Sequence, residues 1–270
     1  MHEPPEGILV REEEALRIIT LNRPEDRNAS TTEMLFGIPR VLDQIAEDPG
    51  ARVAILTGAG SAFSAGADMH HFVRTLDDPE FARRTLDNAR STIRAFVDFP
   101  IPLIAAVNGP AVGFGGTLMT MCDIVLMSDR AWVSEPHINL GMVVGDGISV
   151  SWPLYMSLLR AKELIFTGER ISAEVAVELG LANRVVPHDR LMNEARDLAA
   201  RMVAQPAEAL SDTKRIMNIY LRNNAAAVLD AQINAQTRAI LGEEHHRLAQ
   251  GFLDSQRRHA TPGPATGEPA

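Results

Sequence analysis

Apolar residues along this chain follow two periods, and the change from one to the other marks out its elements. Short, nearly continuous apolar runs at 52–57, 103–107 and 123–127 read as strands buried on both faces of a parallel sheet. Further short strands are expected at 8–11, 16–21, 132–135 and 182–186, the first two joined by an acidic turn. Leu35, Ile38, Val41, Leu42 and Ile45 recur at helical spacing after a run of capping residues, 28–32, and stop at Asp48-Pro49-Gly50. Residues 72–99 read as helix ended by Pro100 and Pro102, 115–121 as a short helix, and 154–166, 173–179, 189–204, 207–221 and 225–241 as a mostly helical C-terminal part. The glycines in 136–147 argue against regular structure there. Strand, helix, strand in this order predicts an α/β fold with right-handed crossovers.

Two of the buried strands run directly into small-residue loops. Residues 58–68 read GAGSAFSAGAD after the strand at 52–57, and Asn108-Gly109-Pro110-Ala111-Val112-Gly113-Phe114-Gly115-Gly116 follows the strand at 103–107. Small residues let a backbone approach a ligand closely, and the carboxyl ends of parallel strands are where α/β sheets bind ligands. Each loop alone is an ordinary connection; two from neighbouring strands point to main-chain N–H groups aimed at a developing negative charge, the second from the start of a helix.

Composition narrows the partners. The 270 residues carry a formal charge of −9 and show no basic stripe, which argues against nucleic acid or an anionic membrane as the main partner. The N-terminus lacks the basic and apolar regions of a secretory signal, and no apolar span is long enough for a membrane helix, so a soluble, cytoplasmic protein is expected. The single cysteine, Cys122, lies in an apolar context and reads as a buried inert thiol. The glycine spacings fit neither a dinucleotide fold nor a P-loop, and the adjacent pairs His70-His71 and His245-His246 diverge too much to share a metal, so no metal and no separate cofactor is expected. The Pro- and Gly-rich end, residues 256–270, is expected to be disordered.

From about residue 8 to 255 the chain resembles the crotonase family, the enoyl-CoA hydratase/isomerase superfamily. The residues that carry the resemblance are Asn22-Arg23-Pro24 with Asn28-Ala29; the run 53–68; Ile104-Ala105-Ala106-Val107-Asn108-Gly109 with 113–116 and Cys122-Asp123-Ile124; and Leu164-Ile165-Phe166-Thr167-Gly168 with Ile171-Ser172-Ala173 and Gly180-Leu181. The resemblance implies a spiral ββα core over 1–190, a C-terminal helical region over 191–255 used in trimer contacts, and a homotrimer or a hexamer of two trimers. It implies a coenzyme A thioester as substrate, its carbonyl oxygen held by the backbone N–H groups of Ala67 and Phe114. Arg27, Ala29, Ala65, Gly66, Asp68, Met69, Gly113 and Thr117 fall at positions expected to line the acyl-CoA site, although for Asp68 a cap on the helix that follows it is the better reading.

The departures from the family pattern bear on the chemistry. Positions matching the two glutamates of the hydratases hold Thr117 and His137, and His70 stands where a lysine often meets the CoA phosphates. A threonine is no general base near neutral pH, so two-carboxylate hydration is in doubt. In compensation Asp146 follows His137 by nine residues, and an aspartate that orients an imidazole and raises its basicity is a common way to activate water. The segment is similar to that of the 6-oxocamphor hydrolase and β-diketone hydrolase relatives, which cleave a C–C bond by a retro-Claisen step. The expected activity is therefore enoyl-CoA hydration or isomerisation with His137 and Asp146 as the acid/base pair. The alternatives are hydrolysis of a β-diketone or β-keto thioester, and non-catalytic acyl-CoA binding.

Overall fold

A computed structural model describes residues 3–260, with side chains described as far as Ser255. Strands β1 (Ile8–Glu13) and β2 (Leu16–Leu21) form an antiparallel hairpin, as the alternation at the N-terminus predicts. Helix α1 (Thr32–Ala46) is capped by the Thr31 hydroxyl, which accepts from Met34 N, and buries the stripe predicted from its spacing. Strand β3 (Val53–Gly58) pairs in parallel with β2, and after helices α2 (Met69–Asp77) and α3 (Pro79–Asp98) strand β4 (Leu103–Val107) pairs in parallel with β3. The predicted helix over 72–99 is thus two helices. Asp78 ends the first, then caps the second by accepting from Glu80 N and Phe81 N, with Pro79 at its first turn.

The two-residue strand β5 (Ala111–Val112), helix α4 (Phe114–Thr120) and strand β6 (Ile124–Ser128) follow, then β7 (Trp132–Ser134). Residues His137–Leu140 form a 3-10 turn inside the segment expected to be irregular. Helix α5 spans Ile148–Tyr155 and carries Pro153 within it, so helix begins before the proline read as its start. Burial of Ile148, Val150 and Trp152 outweighs the one lost backbone bond. Ser157 caps α6 (Leu158–Thr167), and the chain continues through β8 (Ile171–Ser172), α7 (Ala173–Glu178) and β9 (Arg184–Val186). Helices α8 (Leu191–Val203), α9 (Ala207–Met217), α10 (Ile219–Ile240) and α11 (Glu243–Ala260) complete the described part. Helix α11 was not foreseen, and it takes residues 256–260 out of the segment expected to be disordered; residues 261–270 lie outside the described part.

The main sheet has the order β1-β2-β3-β4-β6-β9, and β5, β7 and β8 form a small second sheet. Strands β3 and β4 are buried along both faces, one against α1 and α3 and the other against α8, which explains their unbroken apolar sequences. Cys122 is buried, and burial pushes its thiol well up, in line with an inert side chain. Among the described residues no helix is long and apolar enough to cross a membrane.

Two asparagines fix the first small-residue loop. Asn28 Nδ2 donates to the carbonyls of Ala59 and Ala62, both at 2.8 Å, while Asn108 accepts from Gly58 N and donates to Gly60 and Ala62. Gly109, next to Asn108, is packed so closely that a Cβ there would lie 2.1 Å from the Ser61 carbonyl oxygen. Because that neighbour is backbone, Gly109→Ala is expected to destabilise the protein by about 1–3 kcal/mol or more, read as a lower midpoint of urea unfolding. An unchanged midpoint would mean that the two loops are not locked together.

Candidate active site

Strands β3 and β4 are parallel neighbours, so the loops that follow them emerge at the same end of the sheet. They are joined there: Ser64 N donates to the Pro110 carbonyl at 3.0 Å, and Val112 N donates to Ser64 O at 2.9 Å. Gly66 has φ +94° and sits where a Cβ would come within 3.0 Å of the Val112 carbonyl oxygen, so both its conformation and its packing call for glycine. Ser30 N donates to Gly66 O and Asp68 N to Ser30 O, which straddles Ala67 and leaves its N–H without an acceptor among the described residues. Gly113 N donates to Ser134 O at 2.9 Å, and its φ of +51° turns the chain into α4. Phe114 is the first residue of that helix, and its N–H likewise has no acceptor among the described residues. The Phe114 ring packs into the main core.

His137 lies against this second loop: a Cβ placed on Gly113 would be 3.6 Å from the imidazole Cε1. The ring is held between two carboxylates. Nδ1 is in contact with Glu135 Oε1, an oxygen that also accepts from the His137 backbone N–H at 3.1 Å. On the other side Nε2 stands 3.9 Å from Asp146 Oδ2, beyond direct hydrogen-bond reach. The carboxylate that orients the imidazole is therefore Glu135 rather than Asp146, which instead faces the nitrogen pointing away. Glu135 is fully buried, and its Oε2 has no partner among the described residues; Asp146 and the Thr117 hydroxyl are buried beside each other.

Burial alone would push the imidazolium down, but the charges of Glu135 and Asp146 outweigh it and hold His137 at about 9. Burial pushes Asp146 up to about 6, against the attraction of His137, with a further push from Glu135 and an opposing pull from the Thr117 hydroxyl. Ligand atoms of Glu135, His137 and Asp146 lie within 4.8 Å of one another, close enough to be weighed as a metal site. Because the imidazole offers opposite nitrogens to the two carboxylates, the arrangement suits proton transfer better than binding of one ion by all three.

The remaining expected site residues divide in two. Ala29, Ala65 and Met69 are half-buried around the first loop, and Gly113 and Thr117 are buried in the second. Asp68 is engaged by the protein: Oδ1 accepts from His70 N, capping α2, and Oδ2 accepts from Arg23 Nη1 at 3.0 Å. Arg23 is also tied to Asp26 and the Ala29 carbonyl, whereas Arg27 is exposed with no ion pair among the described residues. His70 projects fully into solvent. Glu135 escaped the sequence reading, although an acidic residue two positions from buried Val133, on the same strand face, was its available signal. Gln236 on α10 and His245 on α11, which no local motif marks, pack against the segment that carries His137 and Asp146.

With this geometry in place, likeness to other proteins becomes informative. Residues 11–259 match a family described as "Enoyl-CoA hydratase/isomerase". The human protein named enoyl-CoA delta isomerase 2 is 31% identical over 258 residues, covering 94% of this chain and 64% of that protein. A crystal structure of an enoyl-CoA hydratase/isomerase from Mycobacterium paratuberculosis superposes with a TM-score of 0.89 at 40% identity, covering 93% of this chain and all (100%) of that one. A β-diketone hydrolase from the cyanobacterium Anabaena, bound to (S)-3-oxocyclohexyl acetic acid, superposes with a TM-score of 0.82 at 25% identity, covering 89% of this chain and 98% of that one. With its mixed sheet, its helical C-terminal part and these likenesses, the chain belongs to the crotonase family of enoyl-CoA hydratase/isomerase enzymes.

Proposed function

We propose that the protein adds water to, or shifts the double bond of, an enoyl-CoA thioester, with Ala67 and Phe114 N–H groups on the thioester oxygen and His137 and Asp146 moving protons. The observation that carries this reading is the imidazole held by Glu135 against Gly113, one residue before a free main-chain N–H. In hydration, Asp146 as carboxylate takes a proton from water as its oxygen bonds to Cβ. The electron pair of the double bond moves into an enolate held by the two N–H groups. The imidazolium of His137 then gives its proton to Cα. Asp146 is left protonated and His137 neutral, and return of that proton across the 3.9 Å between them resets the site. Isomerisation needs one proton removed and one returned, which the same two groups can perform. Coenzyme A enters only as part of the substrate, and Arg27, unpaired at the rim of the first loop, is a candidate for its phosphates.

A second reading is favoured by Thr117, which leaves one hydratase carboxylate position empty of charge, and by the likeness to the β-diketone hydrolase. Incubation with enoyl-CoAs and with cyclic and linear β-diketones, followed by mass spectrometry, separates the two. Addition of water to an enoyl-CoA, or its isomerisation, lost in Asp146→Asn, is the expected result. Hydrolysis of a diketone with no change in any thioester would replace the first reading by the second.

For assembly, we infer a homotrimer or a pair of trimers, in a reducing cytoplasmic setting. The support is an apolar strip left uncovered at the junction of α9 and α10, where Ile216, Met217, Ile219 and Tyr220 are 46–64% exposed.

A further inference from the structure

Asp146 carries half of the proton chemistry proposed above, yet it stands in a stretch that no regular structure holds. Residues 143–146 belong to neither helix nor strand, and the glycine that follows them, Gly147, has φ +130°. Among the described residues, one hydrogen bond from another element reaches the main chain of that stretch: Gln232 Nε2, on α10, donates to the Gly145 carbonyl at 3.1 Å. That carbonyl belongs to the planar peptide group whose N–H is that of Asp146. The bond therefore fixes the plane from which the Asp146 side chain projects.

The donor is itself held. Gln232 is buried, and the Ser149 hydroxyl donates to its Oε1. With the oxygen so engaged the amide presents its NH₂ to Gly145, and turning it over would lose both bonds. Gln236, one turn on, packs against the same glycine so closely that a Cβ there would lie 1.2 Å from Oε1, so no larger residue fits at 145 without moving the helix or the loop. Earlier on α10, Asn224 Nδ2 donates to the Val150 carbonyl at 3.1 Å, beyond the stretch that carries Asp146. What depends on the Gln232 bond is a distance. Asp146 Oδ2 stands 3.9 Å from His137 Nε2, and a misplacement of about 1 Å in a reacting group can cost about a hundredfold in rate.

We propose that Gln232 is a positioning residue: through the Gly145 carbonyl it sets the Asp146 carboxylate opposite the outer nitrogen of His137. The inference rests on the acid/base reading above and deepens it, by assigning the alignment of the pair to a side chain on α10.

The test compares two variants of the full-length protein. Gln232→Met keeps length and removes both amide bonds, while Asn224→Leu removes an amide-to-carbonyl bond of the same kind that does not touch the Asp146 peptide. In Gln232→Met, kcat for an enoyl-CoA is expected to fall about tenfold to a hundredfold with KM within about threefold of wild type, because substrate still binds but the proton carrier is out of line. Asn224→Leu should also melt at a lower temperature, but keep kcat within about threefold of wild type. A second readout needs no turnover. The His137 ring, followed by NMR in histidine-labelled protein without substrate, is held at about 9 by the charges of Glu135 and Asp146. Displacing Asp146 should bring its titration to lower pH in Gln232→Met and not in Asn224→Leu, and neither substitution alters Glu135. Should Gln232→Met not fold, Ser149→Ala, which frees the amide to turn, is expected to show both changes, with kcat down about threefold. A His137 titration left in place, a loss confined to KM, or an equal loss of kcat in Asn224→Leu would overturn the inference. Equal turnover by wild type and Gln232→Met sinks the inference alone. A lowered titration in Gln232→Met, with no enoyl-CoA turnover by the wild type, sinks the catalytic reading alone.

Discussion

Replacing His137 by alanine is expected to lower kcat/KM for the enoyl thioester by about 10²- to 10⁴-fold, the share that a positioned acid/base group contributes to proton transfer. The wild-type pH profile carries the same assignment. Hydration as written needs Asp146 ionised and His137 protonated, so kcat/KM should rise as pH passes about 6 and fall as it passes about 9. Glu135→Gln removes the stronger of the two charges that hold the imidazolium, so the alkaline limb should move to lower pH while the acid limb also shifts down, because Glu135 adds to the upward push on Asp146. A merely structural Glu135 would change expression or melting and leave both limbs in place. Stability follows the opposite logic to a surface ion pair. Both groups have folded values raised above their ordinary ones of 3.8 and 6.5. What they contribute is therefore present below those values, and it is lost as pH rises through about 6 for Asp146 and about 9 for His137. The protein should accordingly melt at a lower temperature at pH 9 than at pH 6, and His137→Ala should flatten that dependence. A flat kcat/KM across the whole range, or a fully active His137→Ala, would remove His137 from the mechanism.

The features that could be read from sequence are those governed by local pattern. Strands β3 and β4 announce themselves because burial on both faces demands an unbroken apolar run, and the two small-residue loops that follow them carry meaning only as a pair. Thr31 and Asp68 were legible as caps because capping is a contact with the next three residues. What escaped depends on contacts far apart in sequence. Pro153 looks like a helix start only until the burial of Trp152 is known, and α11 has too charged a sequence to stand out until Ala249 and Leu253 meet Phe72. The same holds in the site. His137 and Asp146 can be found by spacing, but the orienting role that spacing gives to the aspartate belongs to Glu135, two residues away and folded back onto its own histidine, for which no template exists. Gln236 and His245 lie about a hundred residues beyond the segment they cover. No periodicity could have brought them there.

The main-chain donor at position 114 is open to an equally large test, because its geometry allows the N–H to be deleted with little else disturbed. Phe114 is the first residue of α4, the place in a helix where proline is best tolerated, since its missing N–H would have had no intrahelical partner. Gly113 before it has φ +51° and ψ −114°, outside the helical region that a following proline disfavours. Phe114→Pro and Phe114→Ala both withdraw the ring from the core, so their loss of stability should be similar, and only the proline removes the donor. Phe114→Pro is therefore expected to lose about 10²- to 10³-fold in kcat relative to Phe114→Ala, the cost of one donor on a developing oxyanion. Its KM should change little, because the oxygen of the bound thioester is less charged than that of the enolate and leans on the donor less. If the two variants turn over at the same rate, the negative charge does not develop at this amide. Catalysis would then have to place its oxyanion elsewhere, and the His137 imidazole that rests against Gly113 would lose the neighbour that gives its position meaning.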